Sequence, residues 1–230
     1  MTRPDPRDVA WVLRRLGKAI AELELPVVER IAGRQDHDPF QVLIATLLSA
    51  RTQDQTTGAA SARLFRRAPT VRRMASLAER DIAALIRPVG FYRTKARHVK
   101  ATCRALLDRH GGRVPSTMEE LLALPGVGRK TANLVLILAF RSRRSICVDT
   151  HVHRISNRLG WVRTKTPEAT EQALYGSVPA RWWPHVNRYL VTWGQRVCRP
   201  IRPRCGECLV AARCPRHGVT AVGKPRAPRA

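Results

Sequence analysis

Hydrophobic residues along the chain recur at spacings of three and four, and alternating runs of β-branched residues are scarce. Such spacings place apolar side chains on one face of an α-helix. Proline and glycine residues divide this pattern into short segments, as expected between helices. The sequence therefore predicts an all-α protein. The predicted helices cover residues 9–23, 40–49, 56–65, 81–86, 93–110, 118–122, 130–140, 151–159, 167–177 and 184–193.

Three of these helices have a recognisable start signal. Ser116 precedes Glu119 at the spacing of a capping box. Thr166 precedes Pro167, and proline is favoured in the first turn of a helix. Asp149 stands directly before an apolar set of helical period. We therefore expect helices to begin at these positions.

The chain carries 42 lysine and arginine residues against 17 acidic residues, a formal charge of +25. Such a charge concentrates polyanions, so nucleic acid is the first partner to expect. The charge is spread along the chain and is not gathered beside an apolar anchor, which argues against a membrane. The N-terminus has no signal-peptide core, and the aliphatic stretch 134–140 is too short to span a bilayer. We expect a cytoplasmic protein with a disordered basic tail over 217–230.

Residues 118–140 predict two helices joined by a tight turn, Pro125-Gly-Val-Gly128. Glycine allows positive φ and close approach of another backbone, and the N–H groups that open a helix bind phosphate. An ordinary helical hairpin is the alternative. The basic residues directly after the turn favour phosphate binding. The predicted contacts with DNA are Leu124, Gly126, Val127, Gly128 and Arg129.

Four of the six cysteines, Cys198, Cys205, Cys208 and Cys214, lie within one short segment. In a reducing compartment clustered thiols indicate a metal site rather than disulfides. A zinc ion and an iron-sulfur cluster both accept four thiolates, so the spacing leaves both open. Cys103 and Cys147 have apolar neighbours and are predicted to be buried packing residues.

Two motifs carry a family resemblance. The segment Leu124-Pro-Gly-Val-Gly-Arg-Lys-Thr-Ala-Asn133, followed by Val148-Asp-Thr-His-Val-His-Arg154, resembles the helix-hairpin-helix and Gly/Pro-rich loop with aspartate of the endonuclease III family. The resemblance runs from Phe40 through Cys214. It implies a six-helix barrel domain over 34–144, an iron-sulfur domain formed by 1–33 with 145–216, and a DNA-binding groove between these two helical lobes.

The resemblance implies catalytic roles for Lys130 and Asp149. A neutral lysine attacks C1′ of the sugar and forms a Schiff base, which permits β-elimination of the 3′ phosphate. A carboxylate accepts the proton of the lysine and stabilises positive charge on the sugar. Taken alone, the same residues fit a phosphate-binding surface lysine and a helix-capping aspartate.

The resemblance also implies how the damaged nucleotide is reached. A glycosylase must extrude its target nucleotide and fill the gap. Two loops are similar to family segments that insert into the duplex, with Ser49, Arg51 and Gln53 in the first and Phe91 as the apolar wedge of the second. Relatives commonly carry glutamine where this chain has Arg51, and Gln53 is the candidate to replace it. A buried aromatic is the alternative for Phe91.

In relatives the same cysteine spacing holds a [4Fe-4S] cluster, which we therefore expect on Cys198, Cys205, Cys208 and Cys214. The intervening basic loop is expected to contact DNA phosphates. His151 and Arg154, which follow Asp149 in the next predicted helix, are further candidates for DNA contact. The candidates in the basic loop are Arg199, Arg202 and Arg204.

The sequence thus predicts a monomeric bifunctional DNA glycosylase and AP lyase of base excision repair. Its expected substrate is double-stranded DNA that contains an oxidised or ring-saturated pyrimidine or an abasic site. A monofunctional mismatch glycosylase and a noncatalytic DNA-binding metalloprotein are the alternatives.

Overall fold

The computed structural model describes residues 4–34 and 36–223. All regular elements in those two ranges are helices, which confirms the predicted all-α class. The chain divides into two compact units. The central unit is Pro26–Ser142, and the terminal unit combines the chain up to Leu25 with the chain from Arg143 onward.

The central unit is organised around one fully buried helix. Asp38 accepts a hydrogen bond from the N–H of Phe40, and Pro39 occupies the first turn, so this helix begins sharply. Its residues from Phe40 to Leu48 are all buried, and neighbouring helices pack around it. The helices of the unit are α2 (Val27–Arg34), α3 (Pro39–Ser49), α4 (Asp54–Arg67), α5 (Val71–Ser76), α6 (Glu79–Ile86), α7 (Tyr92–His110), α8 (Met118–Leu122) and α9 (Arg129–Leu138).

In the terminal unit, the first helix of the chain packs against a later one. Asp5 caps this helix and Pro6 opens it. Its apolar face, which includes Leu13 and Leu16, lies in one core with Trp161, Leu190 and other residues from the second half of the chain. The α-helices of the unit are α1 (Pro6–Ile20), α10 (Thr150–Arg158), α11 (Pro167–Ser177) and α12 (Trp183–Arg196). Short 3-10 helices cover Ala180–Trp182, Cys205–Glu207 and Ala211–Arg213.

The predicted helices all occur, and two further helices were missed. Residues 27–34 and 71–76 form α2 and α5, which pack against α3 and α4 and against α7 respectively. The start predicted at Ser116 was wrong by one residue, because the hydroxyl of Thr117 accepts the N–H of Glu120. The starts predicted at Asp149 and Thr166 are confirmed by capping hydrogen bonds.

The sequence places a domain boundary at residue 34, whereas α2 belongs to the central unit because it packs on α3 and α4. Of the predicted disordered tail, residues 217–223 are described. The N–H of His217 donates to the carbonyl of Arg158 at 3.2 Å, and that of Gly223 donates to the carbonyl of Pro203 at 2.9 Å. Residues 224–230 lie outside the described part of the chain.

Candidate functional site

The hairpin between α8 and α9 is held from inside the central unit. The side chains of Leu124 and Val127 are buried, and the N–H of Val127 donates to the carbonyl of Leu124 at 3.1 Å. The hydroxyl of Thr102 on α7 donates to the carbonyl of Pro125 at 2.8 Å. Because these two apolar side chains face the core, only the backbone of Leu124 and Val127 is placed to meet a ligand.

The two glycines of the turn have different roles in the structure. Gly126 has φ +77°, and a Cβ built there would lie 2.5 Å from Nδ1 of His98. Gly128 has φ −100° and is the N-cap of α9, to which it gives no side-chain hydrogen bond. A Cβ at Gly128 would meet no atom within 4 Å. The first glycine is thus required by the fold, whereas the second leaves open space at the start of a helix.

The two predicted catalytic residues each begin a helix. Lys130 is half-buried in the first turn of α9, directly after Gly128 and Arg129. Asp149 is the N-cap of α10, and its Oδ1 accepts the N–H groups of His151 at 2.9 Å and Val152 at 2.8 Å. These two bonds fix the carboxylate. Lys130 belongs to the central unit and Asp149 to the terminal unit.

The two predicted insertion loops expose an arginine and a phenylalanine. Phe91 is 63% exposed, so the alternative of a buried aromatic is wrong. Arg51 is also exposed, and the carbon of its guanidinium lies 5.7 Å from the centroid of the Phe91 ring. Gln53 is exposed at the start of α4. The hydroxyl of Ser49 donates to the carbonyl of Thr46 at 2.8 Å and thus helps to end α3.

Sequence reasoning missed Lys95, which lies beside these loops. The residue is in the first turn of α7 and is 7% exposed. Burial lowers the pKa of its amine to about 8. Its acceptors lie 43 to 47 residues earlier in the chain, so no local signal marks it.

The four clustered cysteines line one small cavity of the terminal unit, with a volume of about 30 Å³. Burial raises the pKa of the Cys208 and Cys214 thiols. A single zinc ion binds sulfur at about 2.3 Å and requires closely gathered ligands. Within the described ranges, His, Cys, Asp and Glu side chains form no group of three or more arranged to hold a metal ion. The four thiols on one cavity supply the donor set that both a zinc ion and an iron-sulfur cluster accept.

Two arginines of α10 hold the first part of the cysteine segment. Nη2 of Arg154 donates to the carbonyl of Cys198 at 2.8 Å. Nη1 of the buried Arg158 donates to the carbonyl of Arg199 at 2.6 Å and lies 3.4 Å from Sγ of Cys198. Arg154 also lies 3.1 Å from Nδ1 of His151. Arg154, a predicted DNA contact, is therefore turned toward the cysteine segment.

The basic residues of the cysteine segment differ in exposure. Arg199 and Arg202 are exposed, whereas Arg204 is half-buried, lies 4.0 Å from the carboxylate of Glu207 and lines the cysteine cavity. Cys103 and Cys147 are fully buried, as predicted. Helices with the length and apolar character needed to cross a membrane are absent from the described residues.

The chain is similar to known proteins over most of its length. Residues 44–180 match the family model described as HhH-GPD superfamily base excision DNA repair protein. The chain is 47% identical to the endonuclease III of Thermotoga maritima over 196 residues, which cover 85% of this chain and 92% of that protein. It is 46% identical to the endonuclease III-like protein 1 of Bos taurus, of which it spans 58%, with 76% of this chain covered.

A solved structure shares the fold. The structure of an endonuclease III trapped as a covalent intermediate with DNA, an estranged-adenine complex, superposes with a TM-score of 0.82 at 32% identity. The match covers 93% of this chain and 97% of that one. The similarity therefore extends through both the hairpin and the cysteine segment.

Proposed function

Because the chain belongs to the endonuclease III family of HhH-GPD base excision DNA repair proteins and is a DNA glycosylase and AP lyase, we propose that Lys130 and Asp149 carry its chemistry. One observation carries the assignment. Lys130 stands in the first turn of α9, directly behind a glycine turn that leaves open space for a phosphate. In this arrangement the hairpin turn binds a phosphate of the DNA strand, and the side chain of Lys130 reaches the sugar.

The reaction proceeds in two stages at one sugar. The neutral amine of Lys130 attacks C1′, the bond from C1′ to the base breaks, and the base leaves with the bonding electron pair. Asp149 accepts a proton from the attacking amine and stabilises the positive charge that develops on the sugar. The bond from C1′ to O4′ then breaks, O4′ takes the proton from Asp149, and the opened sugar is held as a Schiff base. Loss of a C2′ proton then expels the 3′ phosphate by β-elimination and nicks the strand.

The capping bonds of Asp149 support this role. Its carboxylate is oriented by two backbone N–H groups at 2.8 and 2.9 Å, so it is fixed before DNA arrives. An asparagine at this position retains an oxygen that accepts the same bonds, but it takes no proton at neutral pH. The cap and the catalytic role are thus experimentally separable.

The substrate we propose is double-stranded DNA with an oxidised or ring-saturated pyrimidine or an abasic site, bound by a protein monomer. The formal charge of +25 supports binding to a polyanion. Exposed Arg51, Phe91, Arg199 and Arg202 are the side chains we assign to DNA, together with the backbone of the hairpin turn.

The cofactor we propose on the four cysteines is a [4Fe-4S] cluster. The cavity that their side chains line supports it, as does the N–H of Arg158 directed at Sγ of Cys198. Cys198, Cys205, Cys208 and Cys214 would hold the cluster, and their attachment to it would fix the exposed basic segment that begins at Cys198. We expect iron and acid-labile sulfide to accompany the purified protein, and stoichiometric zinc without iron would overturn the assignment.

Borohydride trapping on a duplex with one abasic site tests the catalytic assignment. Reduction of the Schiff base links protein and DNA covalently, so we expect capture by the wild type and none by Lys130→Ala. Lys165→Ala is the matched control, because Lys165 is exposed and lies in the other unit. Capture that persists in Lys130→Ala would refute the role of Lys130.

The role of Asp149 is tested by comparing binding with excision. We expect Asp149→Asn to lose base excision far more than affinity for the duplex. Equal losses in both measurements would show that the residue is only architectural. Absence of capture by the wild type, with duplex binding intact, would indicate a noncatalytic DNA-binding protein.

A further inference from the structure

Lys95 is a buried cation for which the reaction above has no use. Its Nζ donates to the carbonyl of Leu48 at 2.7 Å, to the carbonyl of Ala50 at 2.5 Å and to the hydroxyl of Thr52 at 3.1 Å. An ammonium group has three N–H donors, and these three acceptors use all of them. The acceptors are neutral, so the cation is held by dipoles. A lysine buried in this way is costly unless its position matters.

The acceptors belong to the end of α3 and to the loop that follows it. The carbonyl of Leu48 lies in the last turn of α3, where the helix dipole favours a cation. The carbonyl of Ala50 and the hydroxyl of Thr52 flank Arg51, which has φ +52°. A side chain at positive φ is strained and persists only where its surroundings impose it. Lys95 supplies part of that constraint.

The backbone of Lys95 holds the second loop. Its N–H donates to the carbonyl of Phe91 at 3.0 Å in the first turn of α7. Phe91 also has a positive φ, of +57°, and its side chain is 63% exposed. One residue therefore bonds the segment that carries Arg51 through its side chain and the segment that carries Phe91 through its backbone.

The two loops also touch each other directly. A Cβ on Gly90 would lie 2.8 Å from the carbonyl oxygen of Arg51, so only glycine allows the backbones this close. Beyond this contact the guanidinium of Arg51 lies over the ring of Phe91. Gly90 and Lys95 thus hold together the two backbone segments that carry the exposed side chains of Arg51 and Phe91.

We propose that Lys95 is a positioning residue for extrusion of the damaged nucleotide, because it fastens the two loops so that Arg51 and Phe91 meet the duplex as one unit. This inference rests on the proposed function. The ring of Phe91 takes the place of the extruded nucleotide in the base stack. Arg51 presents donors alone to the estranged base, since a guanidinium has no acceptor. Loss of the clamp impairs extrusion and leaves the chemistry at the sugar unchanged.

The test compares a substrate that requires extrusion with one that does not. Lys95→Met keeps an unbranched apolar stem and removes all three hydrogen bonds. We expect single-turnover base excision from duplex DNA to slow by roughly tenfold or more, as misplaced groups of this kind do. Borohydride capture on a single-stranded abasic oligonucleotide, which needs no extrusion, remains at the wild-type level. Fluorescence of 2-aminopurine beside the lesion reports extrusion itself and falls in the variant.

Lys100→Met is the matched control. Lys100 lies on the same helix, is half-buried, and donates to the carbonyl of Leu77, away from both loops. We expect it to leave duplex excision at the wild-type rate. A Lys95→Met variant that matches this control on the duplex would overturn the proposal. Equal losses on duplex and single strand would also overturn it, because they indicate general disruption.

A double-mutant cycle keeps the proposal testable if Lys95→Met is less stable. If Lys95 acts by positioning Phe91, Lys95→Met adds little further loss of excision to Phe91→Ala. Fully additive losses would contradict the proposal. Failure of the proposed function is distinguished from these outcomes, since the wild type would then give no capture on either substrate.

Discussion

Gly126 and Gly128 lie two positions apart in the hairpin turn, and the structure predicts different consequences for replacing each by alanine. The first replacement lowers stability, and the second lowers affinity for DNA. At Gly126 an alanine must adopt φ +77°, which costs about 1–3 kcal/mol. Its Cβ would also lie 2.6 Å from Cγ and 2.9 Å from Cβ of His98, so rotation of the imidazole alone does not relieve the overlap. We expect Gly126→Ala to destabilise the fold by at least this amount. In a chain of this size that corresponds to roughly 2–4 °C in Tm for each kcal/mol.

At Gly128 the protein accommodates alanine. The backbone has φ −100° and ψ 175°, which any residue adopts, and the added Cβ meets no atom within 4 Å. Alanine is a poorer N-cap than glycine, but it also restricts the unfolded chain, and these effects of about 1 kcal/mol have opposite signs. The methyl group instead enters the space assigned to a phosphate. Loss of one hydrogen bond to a charged group costs about 1.5–3 kcal/mol, so the Kd for duplex DNA rises by about tenfold to a hundredfold.

Two assays separate the variants. Thermal unfolding followed by circular dichroism measures the fold, and fluorescence anisotropy of a labelled duplex at fixed salt measures binding. Gly126→Ala lowers Tm, whereas Gly128→Ala retains Tm and binds weakly. Wild-type affinity in Gly128→Ala would refute the phosphate cradle, and wild-type Tm in Gly126→Ala would refute the packing argument.

Two further predictions concern stability. Thr117→Ala removes the cap of α8 and should lower the free energy of unfolding by about 1 kcal/mol in urea denaturation, whereas Ser116→Ala should change it by less than about 0.5 kcal/mol. Burial raises the pKa of the Cys103 thiol to about 12, from an ordinary value near 9. The folded protein therefore keeps a proton that the unfolded chain loses, and this contribution to stability is complete below pH 9 and is lost as pH rises toward 12. Urea denaturation between pH 8 and 10 should show a smaller decline in Cys103→Ala than in the wild type, and equal declines would contradict the assignment.

The sequence predicted most helices from the spacing of apolar residues within each segment, and start signals located the beginnings of α10 and α11. Pro167–Ser177 was predicted with both ends correct, since Thr166 and Pro167 combine a cap with a fixed φ. The same pairing of a capping residue with proline, at Asp5 and Pro6, starts α1. The missed helices α2 and α5 have eight and six residues, and no start signal was recognised for either of them. Their helical state is decided by packing on α3, α4 and α7.

The candidate site was predicted as far as local motifs reach. The glycine turn, Lys130 and Asp149 lie within short sequence motifs, and each lies at the start of a helix as expected. The exposure of Phe91 was left open, because an aromatic residue after glycine suits a core as well as a wedge. Arg154 was assigned to DNA from its place after Asp149, but its partners Cys198 and His151 include one 44 residues away. Contacts across such distances are invisible to periodicity and spacing.

Lys95 shows why a strongly basic composition conceals functional lysines. From the sequence alone, Lys95 in the basic segment Arg93 to Arg97 is interpreted as one more solvated charge that attracts DNA. Its burial and its three acceptors, none of them near in sequence, change that reading. In our proposal the exposed arginines draw the duplex to the protein with little regard to register, because phosphate attraction carries no sequence information. Register and extrusion require fixed shapes, which we assign in the central unit to a glycine turn and a buried ammonium that contribute little to the surface charge.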